Sequence, residues 1–200
     1  MANDRARNAG TPNPPVIHDS EVLAEGQWMR LRRIRYADSW GAARIWESAE
    51  RCNDRGTVVI LARLQPGNEL LLVRQYRPPV EAWTIEFPAG LVDDEESPEQ
   101  TARRELREET GYCADRVRLL PPALSSPGLT NEAAQFALVY VFLDRAQNKA
   151  PRQQLEGSED IEVFRVCESE LDSFLADQRA LGVRIDMRVL AFAVGRTSAG

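Results

Sequence analysis

An α/β domain with a mixed sheet, preceded by an N-terminal β extension, is the fold class the sequence predicts, and three observations carry it. Thr57 to Leu64 and Glu69 to Tyr76 are apolar runs either side of the turn Gln65-Pro66-Gly67-Asn68, which reads as a buried strand pair. Ser97, Pro98 and Gln100 have the order of an N-cap, a first-turn proline and a capping-box partner, and Gly111 is a left-handed stop, so a helix is expected from Pro98 to Thr110. Upstream, Ser20 to Tyr36 and Ala43 to Glu50 carry enough Val, Leu, Ile and Trp to pair as a hairpin about Ala37-Asp38-Ser39-Trp40-Gly41.

Taken in order, residues 1–15 are polar and proline-rich and read as a disordered tail. Residues 16–56 form the β extension, whose strands alternate untidily, and residues 57–200 the main domain. Within that domain, Trp83 to Phe87 is a short strand leading through Pro88-Ala89-Gly90 towards the helix. Val117 to Leu124 and Gln135 to Leu143 read as strands flanking the loop from Ser125 to Glu132. Asp144 to Asp160 is polar and aperiodic, the kind of long segment that is either functional or disordered. Ile161 to Val166 is a last strand, Leu171, Phe174 and Leu175 mark one helix, and Met187 to Val194 a second, nearly all apolar.

At 200 residues the chain suits one domain with a full core. A net charge of −6 argues against a nucleic-acid surface, where a basic stripe would be expected. Cys52, Cys113 and Cys167 are odd in number and widely spaced, which suggests reduced thiols in the cytoplasm rather than disulfides or a zinc site. Neither an export signal nor a membrane span is visible. The single histidine, His18, leaves no basis for a histidine-based triad or metal site.

Glu105, Glu108 and Glu109 fall in the last turn and a half of the expected helix, the wrong end for acids given the macrodipole. Arg104 can reach Glu108 at i+4, and Arg103 and Arg107 flank the cluster, so one reading is a solvated face laced with ion pairs. The other is a Mg²⁺ site, because Glu105 and Glu109 are stacked one turn apart and can share a hard cation that keeps waters for a phosphate substrate.

Gly90, five residues, Glu96, seven residues, then Arg104-Glu105-Leu106-Arg107-Glu108-Glu109-Thr110-Gly111-Tyr112 resembles the signature box of the Nudix hydrolases, with Tyr112 standing where an aliphatic residue is usual. Arg74-Gln75-Tyr76-Arg77-Pro78-Pro79, Glu86-Phe87-Pro88-Ala89-Gly90 and Pro127, fifteen residues past the box, are similar to the ADP-ribose and ADP-sugar pyrophosphatase branch. So are Glu25-Gly26-Gln27-Trp28, Arg44-Ile45-Trp46-Glu47-Ser48 and Glu159-Asp160-Ile161-Glu162-Val163. The likeness spans roughly residues 20 to 195.

That resemblance implies a Nudix α/β/α sandwich hydrolysing ADP-ribose to AMP and ribose 5-phosphate. It implies two or more Mg²⁺ ions, with Mn²⁺ a substitute, held by Glu105, Glu109 and the backbone carbonyl of Ala89, with Glu108 completing or orienting the set. Gly90, Glu96, Arg104 and Gly111 would be structural, Gly90 by letting the backbone turn. Pyrophosphate hydrolysis also needs a carboxylate to take or position a proton. Glu159 is the expected base, with Glu108, Glu156 and Glu162 as further candidates. A strand tryptophan is ordinarily core or interface, but the resemblance assigns Trp28 and Trp46 to stacking on adenine, Glu47 to its amino group, and Arg51 and Arg77 to phosphates or the terminal ribose, where either arginine could equally be a structural ion pair. In that branch the N-terminal strands exchange between subunits, so a homodimer is implied. The alternatives are the same chemistry on a UDP- or GDP-linked sugar, and a non-catalytic ADP-ribose sensor.

Overall fold

The computed structural model describes residues 13–52, 55–155, 157 and 159–197; most of the expected tail and the candidate base Glu156 lie outside the described residues. The chain divides into two compact units. One holds residues 13–52 with Leu124–Glu132, and the other holds 55–123 with 133–197.

The first unit is an antiparallel meander of β1 (Val16–Glu25), β2 (Met29–Ala37) and β3 (Ala43–Arg51). The expected single strand from Ser20 to Tyr36 is two strands, because Gly26 turns the chain and its amide donates to the Met29 carbonyl at 2.8 Å. Register explains the untidy alternation. One face carries a charged ladder in which Arg33 meets Glu21 and Glu47, and Arg35 meets Asp19 and Glu21. The opposite face carries Ile17, Val22, Ile34, Tyr36 and Trp46, together with buried Glu50 held at 3.3 Å by both Arg30 and Arg32.

The second unit contains β4 (Thr57–Gln65), β5 (Glu69–Arg77), β6 (Ala82–Glu86), β7 (Ala89–Leu91), α1 (Pro98–Thr110), β8 (Arg116–Leu119), β10 (Ala133–Phe142), β11 (Ile161–Cys167), α2 (Leu171–Ala180), β12 (Arg184–Ile185) and α3 (Met187–Thr197), with the two-residue β9 (Ala123–Leu124) at its boundary. Its mixed sheet runs β12-β6-β5-β4-β10-β8, with β4 parallel to β10. The expected strand from Val117 to Leu124 is interrupted at Pro121-Pro122, which cannot donate to a ladder. The apolar run of β4 is buried on both faces. Val58, Ile60, Ala62 and Leu64 pack with Ala102 and Leu106 of α1, whereas Val59 and Leu61 pack with Leu171 and Leu175 of α2 and Val189 and Ala193 of α3. Tyr112 fills the α1-side core.

β4 and β5 pair only beside their turn, at Arg63–Leu70 and Leu64–Glu69. Beyond that point β6 takes over the edge of β5 and β7 the edge of β4. The segment from β6 to β7 therefore crosses the opening between two splayed strands, and the Ile60 amide fixes it on the Pro88 carbonyl at 2.8 Å.

Both expected caps of α1 are present. Ser97 and Gln100 form the reciprocal capping box, and Gly111 closes the helix at φ 77°, its amide on the Arg107 carbonyl at 2.8 Å. The segment expected to be irregular does structural work at the same end: the Gln154 amide donates to the Glu108 carbonyl at 2.8 Å, and buried Asn148 accepts from the Cys113 amide at 2.8 Å. A side chain at Gly111 would strike the backbone of Pro151 and Arg152. Gly111→Ala should therefore lose more than the roughly 1–2 kcal/mol of a left-handed L-residue, measured by urea denaturation; a loss below that range would show that the loop gives way.

Candidate active site

Both acids of the expected metal site, Glu105 and Glu109, are inside the protein. Glu109 is 4% exposed and the Glu105 side chain 14%, which rules out a solvated helix face. Leu106 and Ala102 set this rotation of α1 by entering the core, leaving positions 105 and 109 under β7. The Ala89 amide donates to Glu109 Oε2 at 3.2 Å. At Gly90 a Cβ would overlap the Glu105 carboxylate. Gly90 does not adopt the left-handed conformation, so the expected reason for this glycine is corrected: it provides space for the carboxylate rather than a turn.

Burial pushes the Glu109 carboxyl up to about 8, with Glu105 and Glu159 adding repulsion and the Ala89 amide and Arg77 opposing it. Burial likewise raises the Glu105 carboxyl, against the pull of Arg104 and with further repulsion from Glu108 and Glu159. Glu159 is thus near enough for its charge to act on both acids. Among the described residues no three acidic, His or Cys side chains come together as a ready metal cluster. The chemistry of the donor set nevertheless fits a hard divalent cation: two carboxylates, raised in pKa chiefly by burial, meet a backbone segment that can add oxygen.

Arg104 is the compensating cation on the neighbouring face of α1. Its Nε donates to Glu96 Oε1 at 3.0 Å, its Nη1 to Glu105 at 2.7 Å and Glu108 at 3.0 Å, and its Nη2 to the Leu91 carbonyl at 3.0 Å. These acids, Glu96 foremost, raise its pKa and keep it charged, and Arg104 in turn lowers that of Glu96. Helix, loop and β7 are joined through this one guanidinium. A cavity of about 380 Å³ lies on the outer flank of α1 between Arg103, Arg107, Glu108 and Cys113; neither Glu105 nor Glu109 lines it.

Arg77 makes a two-pronged pair with buried Glu86, Nε to Oε1 at 2.8 Å and Nη2 to Oε2 at 2.7 Å, which is the ion-pair alternative of the sequence reading. The Thr84 hydroxyl also donates to Glu86. The sequence reading did not single out Glu86 as a site residue, although an acid inside the strand Trp83 to Phe87 is itself the signal that a partner must exist. Glu162 pairs with Arg74 and lies on the sheet face away from α1, so it does not join Glu105 and Glu109.

In the three-stranded unit, Arg51 Nε donates to Glu132 at 2.8 Å, and Arg33 reaches Glu47 at 3.5 Å. Trp46 Nε1 donates to the Gly128 carbonyl at 3.2 Å. Trp28 is 71% exposed, and its carbonyl accepts from the Cys52 amide at 3.0 Å. Because Trp46 precedes Cys52 by six residues, the backbone positions of Trp28 and Trp46 in one chain stand about 20 Å apart along β3. Their indoles do not stack on each other within a chain.

The family profile for the NUDIX domain matches residues 54–182. An ADP-ribose pyrophosphatase of Saccharomyces cerevisiae is 37% identical over 200 residues, covering 93% of this chain and 85% of the relative. An ADP-sugar pyrophosphatase of Mus musculus is 30% identical over 199 residues, covering 94% and 90%. In fold, the chain is similar to the crystal structure of an ADP compounds hydrolase, with a TM-score of 0.67, 23% identity, and coverage of 84% and 86%.

A raised carboxyl pKa means that the fold favours the protonated Glu109. Its contribution to stability is complete below the ordinary carboxylate range and is lost as pH rises through about 8. A divalent cation held by Glu109 would take the place of that proton. The rise in melting temperature on adding Mg²⁺ should thus grow from pH 5 to pH 8, and Glu109→Gln should abolish most of the growth. An equal Mg²⁺ response of wild type and variant across that range would remove Glu109 from the metal site.

Proposed function

The chain belongs to the Nudix hydrolase family, and on that premise we propose that it hydrolyses the pyrophosphate bond of ADP-ribose and related ADP-sugars, releasing AMP and, from ADP-ribose, ribose 5-phosphate. The observation that carries this reading is the buried Glu105 and Glu109 pair pressed against Ala89 and Gly90. Glu105, Glu109 and the Ala89 carbonyl would hold Mg²⁺, two ions or more, with Glu108 orienting Glu105 through their shared Arg104. Bound there, the cations would neutralise phosphate charge and make water a better nucleophile. Glu159, whose charge acts on both Glu105 and Glu109, would take the proton from that water. Arg77, preset by Glu86, offers its charge to the phosphates. The reaction is assigned to the cytoplasm, in keeping with three free cysteines, Cys52, Cys113 and Cys167. Among the described residues no helix is long and apolar enough to cross a membrane.

Turnover of ADP-ribose, ADP-glucose, UDP-glucose and GDP-mannose, with Mg²⁺ and with EDTA, tests the assignment. The expected result is Mg²⁺-dependent AMP release, fastest from ADP-ribose. Preference for a UDP or GDP sugar would keep the chemistry and replace the substrate, and tight ADP-ribose binding without turnover would make the protein a sensor.

Adenine is assigned to Trp28 and Trp46, with Glu47 at its amino group and Arg51 near the phosphates. The wide backbone separation of Trp28 and Trp46 along β3 supports drawing them from two chains, and the exposed Ile17, Val22 and Trp46 on one sheet face support a homodimer with exchanged N-terminal strands. Trp46→Ala should raise KM for ADP-ribose about tenfold, as expected for losing one stacking partner worth about 1–3 kcal/mol. Sedimentation equilibrium should still find a dimer; an unchanged KM, or a monomeric wild type, would overturn the composite adenine site.

A further inference from the structure

Two backbone carbonyls on different elements meet the same side chain. Gln153 Nε2 donates to the Glu109 carbonyl, in the last turn of α1, at 2.6 Å, and to the Ile161 carbonyl, at the start of β11, at 2.8 Å. A primary amide has two N–H groups, so this bridge uses both. The Glu109 carbonyl is among the four at a helix end that have no intrahelical partner.

The position of the bridge gives it a consequence beyond capping. β11 joins the sheet at Ile161, which pairs with Gln75, so the ladder holds the chain from that residue onward. Glu159 lies two residues earlier, outside the ladder, near enough for its charge to act on Glu105 and Glu109. Backbone contacts hold the Gln153 neighbourhood to α1 independently of the side chain, through Gln154 on the Glu108 carbonyl at 2.8 Å and through Pro151 and Arg152 against Gly111. The amide is what extends that anchorage to the threshold of β11.

We propose that Gln153 is a positioning residue for the hydrolysis: by tying the Glu109 carbonyl to the Ile161 carbonyl, it fixes Glu159 at its working distance from the acids of α1. The proposal rests on the reading of Glu159 as the residue that takes the proton. Gln153 touches neither substrate nor metal in this account and acts through Glu159.

Gln153→Met keeps the length of the side chain and removes both donors. With ADP-ribose and saturating Mg²⁺, kcat should fall roughly tenfold to a hundredfold, the scale set by small misplacements of a catalytic group. KM should stay within about twofold, since ground-state binding is untouched. Hydrogen exchange of the backbone around residues 159–161 should quicken, and Gln153→Lys, which restores donors, should recover part of kcat. If Gln153→Met does not fold, Gln153→Glu, isosteric but without donors, carries the same comparison. In the background of Glu159→Gln, the Gln153 change should cause no further loss.

Full turnover by Glu159→Gln would overturn the reading of Glu159 and the proposal with it. Wild-type kcat in Gln153→Met beside an impaired Glu159→Gln, or losses that multiply in the double variant, would overturn the proposal alone.

Discussion

Two carboxylates buried at the negative end of a helix are the constraint around which the catalytic unit is built. Glu105 and Glu109 repel each other, lie where the macrodipole also opposes them, and have been withdrawn from water. The fold answers with positive ends aimed at that turn. Arg104 neutralises Glu105, Glu108 and Glu96 from the adjacent face, and the Ala89 amide meets Glu109 from above. Glu109 is still left with a carboxyl pKa of about 8. A carboxylate so poorly compensated is costly as structure and useful as a cation ligand, which is why the arrangement points to chemistry.

The sheet makes this burial geometrically feasible. Had β4 and β5 stayed paired along their whole length, no backbone could enter between them. They separate after two residue pairs, and the crossing from β6 to β7 fills the opening, laying Ala89 and Gly90 on the acid end of α1. Gly90 is required there because the Glu105 carboxylate occupies the volume a side chain would need. The aperiodic segment after β10 completes the same end of the helix from below, through Gln153, Gln154 and the backbone at Gly111.

The three-stranded unit follows a different logic. One of its faces is stabilised by alternating charges across β1, β2 and β3, and the other leaves apolar side chains in water. An exposed apolar face of this kind is a feature of surfaces that meet a partner. The Leu124–Glu132 loop belongs to this unit, held to β3 by the Trp46 indole and by the Ala49 amide on the Leu129 carbonyl at 2.9 Å.

Local chemistry was legible in the chain. Ser97, Pro98, Gln100 and Gly111 determined both ends of α1, since a cap depends only on residues within a turn of it, and the apolar run of β4 announced a strand covered on both faces. The spacing of Glu105 and Glu109 placed them together for the same reason, because a helix converts sequence distance into spatial distance by a fixed rule. The short β7 and β12 and the partner carbonyls of Gln153 were decided by tertiary structure. Each depends on which strand edge lies open or which orphan carbonyl needs a donor. Those needs exist only once distant segments have met, so the sequence determined the acids and their helix, while the fold decided that they would be buried, what would press on them, and which polar side chains would hold that arrangement in place.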